Sequence, residues 1–187
     1  MKNKNLIWLL LIGFTFFIEC DSCKKDTPVT NTPNPQPTPC DTCLPPITTT
    51  GQKTFGCLVN GKVWLPKHIP FGSGGPWVEY VQHELVIHGW NDENGEDINI
   101  AVQPITDTGY YKFYNATLTM QWANYLNSKT MINYYADTIF TGYLQLLRFD
   151  PVSGYVAGTF EFDVYDKYHQ HNGDTIHVRS GRFDLHL

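Results

Sequence analysis

Charged residues are scarce in this chain, and neither sign of charge dominates. Of its 187 residues 17% are charged, with 13 basic against 18 acidic side chains and a net charge of −5. Nothing in this balance neutralises phosphates, so a nucleic-acid partner is excluded. The chain also lacks a nucleophile elbow, a phosphate-binding loop and a dinucleotide fingerprint. We therefore predict no catalytic residue, metal or cofactor, and we favour a protein that is not an enzyme.

No apolar run in the sequence is long enough to cross a membrane. The candidate run covers residues 6–18 and follows Lys2 and Lys4, whereas a spanning helix needs about 20 apolar residues. A basic start followed by a short apolar run is typical of a secretory signal peptide, which we assign to residues 1–22. The alternative is a buried N-terminal helix, which fits these flanks less well.

Two cysteines follow the apolar run, Cys20 after Glu19 and Cys23 after Ser22. Bacterial lipoprotein signals end at a cysteine that becomes acylated, and a small residue usually precedes it. We therefore predict lipidation at Cys23. Buried acyl methylenes contribute roughly 0.8 kcal/mol each, so several chains on one cysteine would hold the protein on a lipid bilayer. The prediction is an exported protein anchored to the bacterial outer membrane, on its periplasmic or cell-surface face.

Residues 23–51 form a predicted tether. They contain seven of the 12 prolines, and proline interrupts both helices and strands. We expect an extended spacer of about 3.1 Å per residue; a proline-rich recognition ligand is the alternative. Cys40 and Cys43 lie within it, and export favours a disulfide between them. A Cys43–Cys57 disulfide would instead staple the tether to the following domain.

Helical periodicity is missing from residues 52–187. Strand-like runs rich in aromatic residues alternate there with turn signals. We predict one all-β domain over these residues, a single antiparallel β-sandwich or partly closed barrel built from hairpins. A helical turn is expected at residues 122–128, a loop at 70–76 and a β-bulge at 180–181.

The first hairpin is predicted at Asn60-Gly61. An Asn-Gly pair between apolar runs is a strong hairpin signal, because both central positions of a type I′ turn need a positive φ. A two-residue loop there pairs Cys57 with Trp64 and Leu58 with the residue before Trp64.

The second hairpin surrounds Asn94-Gly95 and generates the candidate site. A two-residue loop places Ile87 opposite Val102 and separates an Ile/Val core face from a mixed face. Tryptophan beside amides suits a sugar or peptide, because the ring stacks while the amides form hydrogen bonds. We therefore predict that a glycan, peptide or protein ligand binds the mixed face; a second sheet or the 70–76 loop covering it is the alternative. The ligand-binding residues are His88, Trp90, Asn99 and Gln103.

An envelope hydrolase is the alternative function. Glu161 and Asp163 are predicted to face His177 and Arg179 across the last hairpin, where carboxylates and histidines could serve as acid and base. Surface charge pairs worth about 0–1 kcal/mol each are the ordinary account of such residues.

Strand and turn residues near both ends of the domain resemble a known family. FGCLVNGKVW, at residues 55–64, is similar to the opening of a family of small uncharacterised Bacteroidota-type exported lipoproteins. GTFEF at 158–162, GDTI at 173–176 and GRFD at 181–184 resemble its closing strands. The resemblance implies an exported, β-rich lipoprotein and supplies no activity.

Overall fold

The computed structural model describes residues 43–72, 74–113, 120–137, 139–166 and 173–187. These residues form eleven strands, all paired antiparallel, and contain no α-helix. No helix in this part of the chain has the length and apolar character that a membrane crossing requires. The predicted all-β class is confirmed. The strands are β1 (Thr54–Val59), β2 (Lys62–Trp64), β3 (Gly75–Val81), β4 (Glu84–Asn91), β5 (Glu96–Val102), β6 (Gly109–Phe113), β7 (Gln121–Asn127), β8 (Ile132–Tyr135), β9 (Gly142–Asp150), β10 (Tyr155–Asp166) and β11 (Thr175–His186).

All eleven strands belong to one hydrogen-bonded sheet that folds over on itself. The strand order is β2-β1-β11-β10-β8-β7-β5-β4-β3, and β9 with β6 branches from β10. The branch arises on one edge of β10, where residues 155–162 pair with β9 and residues 165–166 pair with β8. We call β2-β1-β11-β10-β9-β6 layer A and β8-β7-β5-β4-β3 layer B.

The core lies between the two layers. Phe55 of β1 packs beneath Gly89 of β4, where an added Cβ would come within 2.9 Å of the Phe55 ring. Tyr80 of β3 meets Phe149 of β9 edge-on, with ring centroids 5.0 Å apart. Each fully buried large apolar side chain contributes roughly 1.5–3 kcal/mol, so this interface dominates the stability of the fold. The Ile/Val core expected from the second hairpin is confirmed, with 0% exposure for Leu85, Ile87, Ile98, Ile100 and Val102.

The first hairpin has the predicted register. Cys57 lies opposite Trp64 and Leu58 opposite Val63. Asn60 and Gly61 both have positive φ, at 49° and 76°, as a type I′ turn requires.

The second hairpin has a four-residue loop, and the predicted two-residue loop is wrong. Ile87 lies opposite Ile100, two residues from its expected partner. Asn91 closes the longer turn, because its carbonyl oxygen accepts from Gly95 N and its side-chain oxygen accepts from Asn94 N. Of the Asn-Gly pair only Gly95 has a positive φ. A shift by two residues leaves every side chain on its predicted face, since side chains alternate with a period of two.

Two strands appear where the sequence predicts something else. β7 replaces the helical turn expected at residues 122–128, because pairing with β5 and β8 satisfies its backbone on both edges. β3 begins inside the loop expected at residues 70–76. Gln82 and His83 join β3 to β4 with φ of 51° and 66°, a type I′ geometry without the usual Asn or Gly.

The packed part of the chain begins before the predicted domain boundary. Thr48 Oγ1 and Thr50 N donate to Asp184 Oδ2 at 2.7 and 2.9 Å, and Gly51 N donates to Asp184 Oδ1 at 2.7 Å. Burial alone would raise the pKa of Asp184, but these hydrogen bonds outweigh it and lower that pKa below its ordinary value. Residues 48–51, assigned above to the tether, are therefore pinned to β11.

The state of the described cysteines excludes one of the two alternative disulfide pairings. Cys43 is disulfide-bonded, whereas Cys57 is a free, fully buried thiol. A Cys43–Cys57 disulfide is therefore wrong. Cys40 lies outside the described residues, so its pairing with Cys43 stays a prediction.

Asp184→Asn is expected to lower the free energy of unfolding by about 2–3 kcal/mol at pH 7, because an amide replaces a buried carboxylate that accepts several hydrogen bonds. Since the folded state lowers the Asp184 pKa, this stabilisation is present above the unfolded pKa near ~3.9 and is lost as the pH falls through the folded value. Urea titrations at pH 7 and pH 3 measure both effects. Glu79→Gln, on an exposed position of β3, is the control; equal midpoints for the two variants at pH 7 would contradict the assignment.

Gln82→Asn combined with His83→Gly is expected to raise the free energy of unfolding by about 0.5–1 kcal/mol, because both replacements tolerate a positive φ. Thermal unfolding measures the change. Gly61→His is the mirror control: it places a side chain at φ 76° in open space and is expected to destabilise. A lower melting temperature in the double variant would show that the Tyr80–His83 contact matters more than the turn.

Candidate functional site

Three of the four predicted site residues, His88, Trp90 and Asn99, lie on the outer face of layer B, away from the core. Paired residues form a row across this face, with one residue from each of its five strands. Residues two positions along a strand share the same face, which adds three further side chains to the row. We call this set the polar belt: Trp77, His88, Trp90, Asp97, Asn99, Asn124, Asn133 and Tyr135.

The structure brings together three of the four predicted residues. His88 pairs directly with Asn99, and the His88 and Trp90 rings lie 6.1 Å apart. Gln103 lies just beyond β5, where its Nε2 donates to the Gln82 carbonyl at 3.1 Å. Roughly 20 Å of extended strand separates that position from the level of Trp90, so Gln103 lies apart from Trp90.

Asp97 holds the histidine of the polar belt. His88 Nε2 contacts Asp97 Oδ1, and Asn99 Nδ2 donates to Asp97 Oδ2 at 3.0 Å. The rings of Trp77 and Trp90 both meet His88 edge-on.

Buried polar atoms without a hydrogen bond concentrate in the polar belt. Among the described residues, all such side-chain atoms belong to His88, Trp90, Asp97 and Asn124. His88 Nε2 and Asp97 Oδ1 contact each other, and the Trp90 indole lies near the Asp92 carboxylate. His88 Nδ1 and Asn124 Oδ1 are left without a partner in the described part of the chain. Each such group costs about 1–3 kcal/mol, so native proteins keep few of them without a reason.

The side-chain hydrogen bonds of the polar belt are interrupted between β5 and β7. Asn124 Nδ2 donates to Asn133 Oδ1 at 3.0 Å, and Asn133 Nδ2 donates to Tyr135 Oη at 2.7 Å. Asn99 directs its own nitrogen to Asp97 in the opposite direction. Asn99 and Asn124 are directly opposed, so their Cβ atoms lie about 4.5–5.5 Å apart.

A second candidate feature lies on the outer face of layer A. It is a shallow groove of about 270 Å³ that crosses β6, β9 and β10. Tyr110 and Tyr143 stack in it with ring centroids 4.9 Å apart. Asp163 Oδ1 lies 2.5 Å from Arg179 Nη2 and 2.8 Å from His177 Nδ1, so the facing predicted for Asp163 is confirmed.

The groove does not arrange its two carboxylates as an acid and a base. Asp163 Oδ1 contacts both Arg179 Nη2 and His177 Nδ1, so this carboxylate is already engaged by neighbouring side chains. Glu161 Oε1 accepts from Ser180 N at 3.1 Å, at the bulge predicted for residues 180–181. That bulge is confirmed by the shift in register between β10 and β11 and by the positive φ of Ser180. The result is a surface charge network.

A cavity of about 280 Å³ occupies one end of the fold, between the tips of the two Asn-Gly hairpins. Its acid, Glu96, accepts a hydrogen bond from Trp64 Nε1 at 2.8 Å. Burial, together with the Glu96 charge and hydrogen bond, raises the pKa of Tyr125 far above its ordinary value. Glu96 therefore links layer B to layer A through its hydrogen bond with Trp64, which is a structural role.

No protein-family model, curated protein or solved structure matches this chain. Cys23 lies outside the described residues, so its lipidation stays a prediction. The case for a function rests on the N-terminal sequence and on the side chains that the two layers present outward.

Proposed function

We propose that this chain is a lipid-anchored protein of the bacterial outer membrane whose β domain binds a carbohydrate through the polar belt. The anchor is supported by the apolar run at residues 6–18, by Ser22-Cys23 and by the proline-rich tether. The resemblance to Bacteroidota-type exported lipoproteins favours the same location.

The observation that carries the ligand assignment is the pair of buried, unpartnered polar atoms beside an exposed indole. His88 Nδ1 and Asn124 Oδ1 have no hydrogen-bond partner in the described part of the chain, and Trp77 at the end of the same row is 43% exposed. Sugar hydroxyls supply donors, and the C–H faces of a sugar ring stack on indoles. A carbohydrate therefore matches both the unpartnered polar atoms and the exposed indole of the polar belt.

A peptide fits this surface less well. Extended peptides bind mainly by adding a strand to an exposed sheet edge, where backbone groups are free. The polar belt lies on a sheet face, and β4, β5 and β7 are each paired on both edges. Side chains alone are offered there, which suits a ligand that carries many hydroxyl groups.

Binding is also favoured over hydrolysis. The polar belt contains no Ser, Thr or Cys to act as a nucleophile with the His88–Asp97 pair. The carboxylates of the groove on layer A are held by Arg179, His177 and Ser180. Neither surface places a free acid opposite a free base.

Glycan binding tests the ligand half of the proposal. A chain without residues 1–22 and with Cys23→Ser is screened on an array of bacterial and host polysaccharides, and the best ligand is titrated calorimetrically. Asn124→Leu and Trp77→Ala are each expected to weaken binding about tenfold or more, because one such contact is worth about 1–3 kcal/mol. Tyr110→Ala, on layer A, is the matched control and should bind like the parent. Loss of binding only in Tyr110→Ala would move the site to the groove, and no binding by the parent would overturn the proposal.

Metabolic labelling with a fatty acid tests the anchor. Cys23→Ser is expected to abolish acylation and leave an unprocessed or soluble protein, while Cys20→Ser should still be acylated, because Ser22 rather than Glu19 suits the processing site. Label that persists in Cys23→Ser and disappears in Cys20→Ser would assign the anchor to Cys20. No label in the parent chain would overturn the anchoring.

A further inference from the structure

An aromatic side chain stands in solvent at the tip of the loop between β2 and β3. Phe71 is fully exposed and has a φ of 68°. This left-handed conformation costs a non-glycine residue roughly 1–2 kcal/mol. Phe71 occupies the third position of a turn that Gly72 N closes by donating to the Ile69 carbonyl at 2.9 Å, and a type II turn requires a positive φ there. The turn therefore carries an apolar side chain that gains nothing from burial.

Hydrogen bonds to Asp92 and to the end of β4 fix the backbone of the loop that carries Phe71. Asp92 Oδ2 accepts from Gly74 N at 2.6 Å and from Ile69 N at 3.2 Å. Lys67 N donates to the Trp90 carbonyl at 3.1 Å, and Asp92 N donates to the Lys67 carbonyl at 2.9 Å. These bonds fasten both sides of the loop to the end of β4.

Phe71 ends a series of exposed apolar side chains. Val63, Leu65 and Ile69 are each 40–41% exposed, and they precede Phe71 in one short segment. The neighbouring Lys67 and Glu93 neutralise each other in an ion pair of 2.5 Å. We call Val63, Leu65, Ile69 and Phe71 the apolar ridge; Phe71 is its most exposed side chain.

The chain that leads to the anchor arrives beside this ridge. A Cβ on Gly56 would lie 2.8 Å from both Leu65 Cδ2 and Pro45 Cδ, so these two side chains are neighbours on the outer face of β1. Residues 24–42, between this point and Cys23, reach at most about 65 Å when fully extended. The domain therefore stays within reach of the bilayer that would hold Cys23.

We infer that the apolar ridge docks the domain on the lipid bilayer, with Phe71 entering the boundary between head groups and acyl chains. The inference rests on the proposed anchoring at Cys23. An uncharged, protruding apolar group gains free energy when a bilayer removes it from water. A membrane needs no recess shaped for Phe71, which a partner protein would have to supply. Attachment to the anchor raises the effective concentration of the bilayer at the domain, so weak docking suffices.

Vesicle partitioning tests the inference with a chain that lacks residues 1–22 and carries Cys23→Ser, which leaves no acyl chain. Phosphatidylcholine vesicles are the probe. Phe71→Gly is expected to reduce the partition coefficient about tenfold or more, because burial of one Phe side chain is worth about 1.5–3 kcal/mol. The same variant is expected to raise the melting temperature, because glycine adopts a positive φ without strain. These opposite changes separate a displayed side chain from a structural one.

Val152→Gly is the matched control, because Val152 is 97% exposed at the turn between β9 and β10 and should leave the partition coefficient unchanged. Phe71→Trp adds a direct probe, and vesicles with brominated lipids are expected to quench its emission. Equal partition of Phe71→Gly and the parent, or no partition of either, would overturn docking. A ridge-dependent cross-link to an envelope protein without vesicle binding would also overturn it. Since the tested chain carries no acyl group, these outcomes are independent of the fatty-acid labelling that tests Cys23.

Discussion

The division of one edge of β10 between two partners shapes the rest of the molecule. β9 pairs with residues 155–162, and this pairing stops at Gly142, the first residue of β9. An added Cβ there would come within 2.3 Å of Phe162 Cβ. β8 then takes residues 165–166. A single strand therefore contributes to both layers, and the alternation of side chains along it places Phe162 in the space between them. Because the inner faces of both layers form one apolar core, the polar side chains lie on the outer faces.

The two outer faces treat their polar groups differently. On layer A, Asp163 is matched by Arg179 and His177, as is common on a solvated surface. On layer B, polar side chains are mostly buried among their neighbours, yet Asn124 Oδ1 keeps no donor. A fold can tolerate one or two such penalties of about 1–3 kcal/mol each when a continuous apolar core lies beneath the strands. That contrast is why we place ligand binding on layer B.

The part of the site that lies in one hairpin could be predicted from sequence, and the remainder could not. His88 and Asn99 share a face because side chains alternate, and a register error of two residues does not change that face. Asn124 reaches them only because β7 pairs with β5. Nothing local to residues 122–128 indicates that pairing. Trp77 was missed for a similar reason, since the turn at residues 82–83 carries no glycine or asparagine.

Local pattern alone therefore determined the all-β class and the inward or outward direction of the residues in the second hairpin, while the signal peptide and the tether stay predictions. Each of these depends on neighbours within a few positions of the chain. Only the tertiary structure decided which strands pair outside the predicted hairpins, that Thr48 donates to Asp184 from 136 positions away, and that Phe71 is exposed to solvent. Long-range contacts such as these depend on the free energy of the whole packed sheet, which no short stretch of sequence contains.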